Sequence, residues 1–189
     1  MTRIQRLLIA NRGEIAVRIT RSARKRGIET LAIYSDADRN AMHVEVADYA
    51  VNIGPAPSRD SYLQGSRIIE QALEHQCDAI HPGYGFLSED PAFAKAVKEN
   101  GIIFIGPNES SIALMGDKLA AKKLARKLDI PMVPGSDEPI GHPDEAISFA
   151  QEIGYPVMLK AAGGGGGKGM RIVYQEKNFV SAFERSSLL

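Results

Sequence analysis

The 189-residue sequence predicts an α/β protein: a doubly wound parallel sheet followed by a smaller unit of different character. Three observations carry this. Short apolar runs alternate with amphipathic helical stretches over roughly residues 3 to 106. Glycine, proline or asparagine falls where most of these runs end. A run of five glycines, Gly163 to Gly167, stands between two further apolar runs near the C-terminal end.

Taken in order, Ile4 to Ala10 reads as a buried parallel strand, turned by Asn11-Arg12-Gly13. A helix follows from about Glu14 to Arg26, with Ile15, Ile19 and Ala23 inward and Gly27 just past its end. Its other face carries Arg18, Arg21 and Lys25, a solvated face or a subunit contact. Ile28 to Tyr34 is the second strand, closing a right-handed βαβ unit, and Asp36 and Asp38 follow it. Ala50 to Ile53 is a third strand. Asp60 or Ser61 caps a helix to about Glu74, with Ile69 and Leu73 inward. Ala79 to His81 is a strand running into Pro82-Gly-Tyr-Gly-Phe86. Pro91 to Asn100 is a helix, and Ile102 to Ile105 the last strand of the sheet.

Beyond this the pattern changes. Ser110 to Leu128 is helical with a break at Gly116-Asp117, and Pro131 and Pro134 bracket an extended linker. Pro143 to Ile153 is a helix with Ala146, Phe149, Ala150 and Ile153 inward. Tyr155 to Lys160 and Met170 to Tyr174 read as strands on either side of the glycine run, and a helix begins near Asn178 with Phe179 and Phe183 on one side.

Composition narrows the function classes. Lysine plus arginine balance aspartate plus glutamate at 23 each, with no block of like charge, which argues against nucleic acid as a partner. The single cysteine, Cys77, excludes an internal disulfide and fits a cytoplasmic, reducing compartment. The four histidines show no ligand spacing, so no metal site is expected from them. No apolar run approaches the roughly 20 residues of a membrane span, and no signal peptide is visible.

The chemistry concentrates in the glycine run. Glycine loses the most backbone freedom on folding, so five in a row are costly unless bare backbone is needed. Consecutive N–H groups can form a nest around phosphate oxygens, and Lys160 and Lys168 add positive charge at both ends. The segment reads as a hairpin flap over a nucleotide; the alternative is a disordered glycine linker, which two bracketing apolar strand runs disfavour. It is not a P-loop, because no Ser or Thr follows Lys168 and a strand rather than a helix comes next. Lys118, opening a helix against its dipole, is a second phosphate candidate beside the plain reading of a surface lysine. At the end of the fourth strand, Tyr84 or Phe86 can pack on a flat ligand; the alternative is a core turn with Phe86 buried. Near the N-terminus, Asn11-Arg-Gly-Glu14 sits where a doubly wound fold puts its first ligand loop but lacks the G-x-G-x-x-G of dinucleotide folds, so Asp36 is a weak ribose ligand; a ligand-facing site here stands level with the alternative that Arg12 and Gly13 shape the turn while Asp36 and Asp38 solvate a strand end.

Leu8-Ile-Ala-Asn-Arg-Gly-Glu-Ile-Ala16, Ala79-Ile-His-Pro-Gly-Tyr-Gly-Phe-Leu-Ser-Glu89, Met115-Gly-Asp-Lys118 and Lys160-Ala-Ala-Gly-Gly-Gly-Gly-Gly-Lys-Gly-Met170 together resemble the biotin carboxylase family, from about Ile4 to Phe183. The resemblance implies an ATP-grasp ligase that uses ATP, Mg2+ and bicarbonate to carboxylate biotin on a carrier protein. It implies a Rossmann-like, pre-ATP-grasp domain over residues 1–106, a helical connector over 107–133, and an incomplete ATP-grasp lid over 134–189. ATP contacts are implied for Lys118, Lys160, Gly163, Gly164, Gly165, Gly166, Gly167, Lys168, Gly169 and Met170. Tyr84 and Gly85 are implied to line the biotin side of the cleft, and Arg18 and Arg21 to lie near a homodimer contact. Partners implied are the biotin carboxyl carrier protein and a carboxyltransferase. No catalytic or metal-binding residue is assigned: family members are longer, and the Mg2+ ligands fall in their C-terminal half. The sequence is therefore expected to be an N-terminal portion, inactive by itself. Competing expectations are a non-catalytic protein that pairs with carboxylase subunits, and another ATP-grasp ligase such as a carbamoyl phosphate synthetase.

Overall fold

The computed structural model describes residues 4–136, 138–160 and 170–187. The chain divides into two units, 1–117 and 118–189.

The first unit is a five-stranded, all-parallel sheet of β1 (Arg6–Ile9), β2 (Glu29–Tyr34), β3 (Tyr49–Asn52), β4 (Ala79–His81) and β5 (Ile103–Phe104) in the order β3-β2-β1-β4-β5. Its helices are α1 (Gly13–Arg24), α2 (Met42–Val46), α3 (Gly65–Glu74), α4 (Pro91–Glu99) and α5 (Glu109–Gly116). The central strands read as unbroken apolar runs because both faces are covered. Leu7, Ile9 and Ala79 pack with Ile15, Ile19 and Ala23 of α1. Alternate residues Leu8, Leu31, Ile33 and Ile80 share the opposite cluster with Ile68 and Ile69 of α3 and Phe93 and Val97 of α4. Each fully buried Leu or Ile contributes roughly 1.5–3 kcal/mol. Strand order reverses between β1 and β4, and this places the switch point of the sheet beside the carboxyl ends of those two strands.

Two expectations for this unit change. The stretch after Pro57 is not yet helix: Ser58–Asp60 form a 3-10 turn, Ser61 Oγ donates to Pro57 O at 2.9 Å, and α3 starts only at Gly65. The buried face of α3 is Ile68, Ile69 and Ala72, so Leu73 lies past its edge and is 48% exposed. Helix α2 was not expected, because its five residues are too few to show a helical period.

The second unit contains α6 (Lys118–Lys127), α7 (Pro143–Ile153), β6 (Val157–Leu159), β7 (Arg171–Val173) and α8 (Phe179–Ser187). Lys122 Nζ donates to the carbonyls of Gly135 (2.6 Å) and Ser136 (2.7 Å), tying the extended segment back to α6. Strands β6 and β7 pair antiparallel, Val157 opposite Val173 and Met158 opposite Ile172. Val157 and Val173 face Ala146 and Ala150 of α7 and Phe179 of α8. Phe179 and Phe183 stack at 6.3 Å. On α7 the inward residues are Ala146 and Ala150 with Ile147 partly buried beside them, whereas Ile153, expected inside, is on the rim and 38% exposed.

Candidate functional site

In the first unit the chemistry gathers at the carboxyl edge of the sheet. The β1–β4 ladder runs as far as a bond from Ala10 N–H to His81 O, 2.9 Å. One residue further, the side chain of Asn11 continues it. Its Nδ2 donates to Pro82 O at 2.8 Å and to Tyr84 O at 2.9 Å, and its Oδ1 accepts from the Arg12 N–H at 2.9 Å. Gly83 passes so close that a Cβ there would stand 2.7 Å from Asn11 Nδ2, and its φ of +70° suits glycine. Tyr84 emerges from this turn 66% exposed.

Phe86 turns the other way. It is half-buried and stacks on Tyr62 with ring centroids 5.3 Å apart and planes 6° from parallel. The Arg12 guanidinium lies over both rings, at 5.4 Å from Tyr62 and 5.9 Å from Phe86. Arg12 also pairs with Asp38 at 3.1 Å. Asp38 Oδ2 accepts further bonds from Tyr62 Oη (2.7 Å) and Ser35 Oγ (2.9 Å). Burial pushes the Asp38 carboxyl up, but these three donors and the arginine charge outweigh it and hold it below its ordinary value. Burial, and then the bond to Asp38, raise the Tyr62 hydroxyl to about 12. Asp38 is thus the anchor of a polar network, not an acid solvating a strand end. Asp36 is exposed and accepts from Asn52 Nδ2 at 2.8 Å.

Two histidines complete this edge. His43 on α2 is buried; its Nδ1 accepts from Gly13 N–H at 3.4 Å, so Nε2 carries the proton given to Ile33 O at 3.2 Å. Burial lowers its pKa, which keeps the ring neutral. His81 Nδ1 accepts from Gly83 N–H at 3.0 Å, and burial with the nearby Arg18 charge lowers it too. Arg18 and Arg21 are exposed on α1 and line a groove of about 570 Å³ with Met42 and His43 of α2.

In the second unit, the β6–β7 hairpin sets the phosphate candidates. Lys160 directly follows β6 and is exposed; Met170 directly precedes β7 and is 46% exposed. Met158 and Ile172, cross-strand neighbours, form an apolar outer face, 48% and 53% exposed. Gly163 to Gly167, Lys168 and Gly169 lie outside the described residues. Lys118 opens α6, and its side chain is likewise outside the description. Among the described residues no three His, Cys, Asp or Glu are grouped to hold a metal ion, and no helix is long and apolar enough to cross a membrane.

Tyr84, Gly85 and Lys160, expected as site residues, are exposed; Asn11 was expected only as part of the Asn11–Glu14 turn, and Tyr62 and His43 were not expected at all. Asn11 carried one readable signal, a carboxamide one residue past a fully apolar strand; Tyr62 and His43 carried none.

Two family profiles match in tandem: "Biotin carboxylase, N-terminal domain" over residues 3–112, and "Carbamoyl-phosphate synthase L chain, ATP binding domain" over residues 117–188. The biotin carboxylase of Pseudomonas aeruginosa is 50% identical over 180 residues, which is 95% of this chain and 40% of that protein. The mitochondrial methylcrotonoyl-CoA carboxylase subunit alpha of Glycine max is 52% identical over 181 residues, 96% of this chain and 25% of its own. Among solved structures, the biotin carboxylase domain dimer of Hydrogenobacter thermophilus 2-oxoglutarate carboxylase, in complex with MgADP, ADP and bicarbonate, matches with a TM-score of 0.90 at 47% identity, covering 98% of this chain and 41% of that one. A Campylobacter jejuni biotin carboxylase in complex with β-γ-ATP matches with a TM-score of 0.91 at 44% identity, covering 97% and 41%. The chain thus spans about 40% or less of the length of these relatives.

Proposed function

The chain belongs to the biotin carboxylase family, and from that premise we propose that it supplies the sheet domain and nucleotide flap for ATP- and bicarbonate-dependent carboxylation of biotin on a carrier protein. The observation that carries the reading is the β6–β7 hairpin. It puts an exposed lysine and an exposed methionine at the two ends of the glycine run, with an apolar outer face beside them. Lys160 acts as a point charge on a phosphate, and the N–H groups of Gly163 to Gly169 surround phosphate oxygens. Lys168, Lys118 and Met170 complete the ATP side. Tyr84 and Gly85, at the switch point of the sheet, line the biotin side. The lid is taken as residues 134–189 and the helical connector as 107–133.

Phosphoryl transfer needs a divalent cation to neutralise developing charge. The described residues do not fit such an ion, so no step is assigned to Mg2+ here, and its ligands are expected from other parts of the relatives' length. The 189-residue chain alone is accordingly expected to show no bicarbonate-dependent ATP hydrolysis. Arg18 and Arg21 are proposed as a homodimer contact, with the carrier protein and a carboxyltransferase as further partners in the cytoplasm.

Isothermal titration of the chain with ATP tests the reading. The parent is expected to bind, and Lys160→Ala to bind about tenfold more weakly or worse, which is a loss of about 1.4 kcal/mol. A variant that matches the parent removes Lys160 from the site.

A further inference from the structure

We propose that Asn11 is a positioning residue for the biotin-side loop: its carboxamide, bonded to the Pro82 and Tyr84 carbonyls across the switch point, fixes the turn from which Tyr84 meets its ligand. The functional half of this rests on the reading of Tyr84 given above.

The bonding capacity of the side chain supports the assignment. A carboxamide carries two N–H donors and one acceptor oxygen. Asn11 spends both donors on two carbonyls of the loop and its oxygen on the Arg12 N–H, while only 4% exposed. Aspartate has no donor to offer, and serine has one. Glutamine keeps the fork but is a methylene longer, and Gly83 already presses on Nδ2 so closely that it leaves no room for a Cβ. Side chain and glycine therefore specify each other.

The loop that Asn11 holds is not a relaxed one. Gly83, Gly85 and Phe86 have φ of +70°, +64° and +45°. A non-glycine residue in this region costs roughly 1–2 kcal/mol, and such strain persists only where surrounding contacts over-determine it. Here the contacts are the Asn11 fork on one side and the Tyr62–Phe86 stack under Arg12 on the other. Their joint product is a tyrosine whose backbone carbonyl is anchored while the residue as a whole is 66% exposed. Burying Leu87 and Phe93 in the core does not require an anchored, outward-facing ring; presenting that ring to a ligand does.

The test uses the 189-residue chain with ¹³C-labelled tyrosine rings, Tyr84 being assigned by its loss in Tyr84→Phe. Amide exchange of Gly83 and Ser88, both bonded within the loop, reports its order; exchange of Leu31 to Ile33 in β2 reports the sheet. In Asn11→Asp the loop amides are expected to exchange at least about tenfold faster with the β2 amides unchanged, and the Tyr84 ring signal to move to its random-coil position. Gly83→Ala, which displaces the carboxamide while keeping Asn11, is expected to give the same Tyr84 shift. A Tyr84 signal left in place by both variants overturns the proposal, as does loosening of loop and sheet by the same factor. Free biotin titrated onto the parent is expected to move the Tyr84 signal. If it does not, the biotin-side reading fails, and with it the functional half of the proposal, whatever the loop amides do.

Discussion

Replacing Tyr62 by phenylalanine removes one oxygen from the polar network under the switch point and nothing else. The ring is fully buried and keeps its stack on Phe86. What goes is a hydroxyl that accepts from the Ser35 N–H at 3.0 Å and donates to Asp38 Oδ2 at 2.7 Å. Ser35 is fully buried, so its N–H is left without a partner, at a cost of about 1–3 kcal/mol. The bond to a carboxylate contributes about 1.5–3 kcal/mol, but Asp38 retains Ser35 Oγ and Arg12, and neighbouring losses do not add fully. The expected total is about 2–4 kcal/mol at pH 7. With a urea m-value of about 2 kcal/mol/M this lowers the unfolding midpoint by about 1–2 M, followed by circular dichroism at equal m. Tyr84→Phe, at an exposed position, is the control and should stay within about 0.5 kcal/mol. The pH dependence separates this network from simple packing. The parent Tyr62 titrates at about 12 instead of 10, so its stabilisation is whole below pH 10 and is lost as pH rises towards 12. That loss, about 3 kcal/mol, is one Tyr62→Phe cannot undergo, so the two stability curves should converge as pH rises from 10 towards 12. In acid the sign is opposite. Asp38 lies below 3.8 when folded, so its contribution is present above 3.8 and lost as pH falls through the folded value. Without the Tyr62 donor that value rises, and acid unfolding begins at higher pH. A difference under 0.5 kcal/mol at pH 7, or parallel alkaline curves, would refute the account.

Thr20 on α1 is fully buried and its Oγ1 has no hydrogen-bond partner among the described residues, so Thr20→Val should stabilise the first unit by about 1 kcal/mol, read as a rise in Tm of a few degrees. Asp48 Oδ2 accepts from both the N–H and the hydroxyl of Thr30 at 2.8 Å, bonds that outweigh burial and lower its pKa. Asp48→Asn should therefore cost about 1–2 kcal/mol at pH 7, measured by urea titration, with the difference fading as pH falls below 3.8. Arg18→Glu with Arg21→Glu should leave Tm within about a degree while weakening self-association in sedimentation at least about tenfold; an unchanged monomer–dimer balance would remove this face from the proposed contact.

The fold was legible because burial on both faces leaves its mark in one-dimensional pattern. Leu7 to Ala10 are apolar at successive positions because successive side chains enter opposite clusters, Leu31 to Ile33 are apolar because all three are buried, and such runs are visible without coordinates. The hairpin of the second unit was legible for a different reason: two short apolar runs stand on either side of the glycines, and Val157–Leu159 and Arg171–Val173 do pair antiparallel. The clamp behind Tyr84 was not legible, because each of its parts is unremarkable in its own neighbourhood. Asn11 looks like a turn residue, Tyr62 like a residue in the first turn of a helix, and Asp38 like a solvated acid. They act only after β2, β4 and the turn before α3 bring residues 24 to 73 positions apart within hydrogen-bond reach. Local pattern encodes which faces are buried; it does not encode which polar atoms meet at the end of a sheet. That second set determines where an exposed ring such as Tyr84 stands, and so the residues proposed to position a ligand are harder to read from the sequence than the residue proposed to touch it.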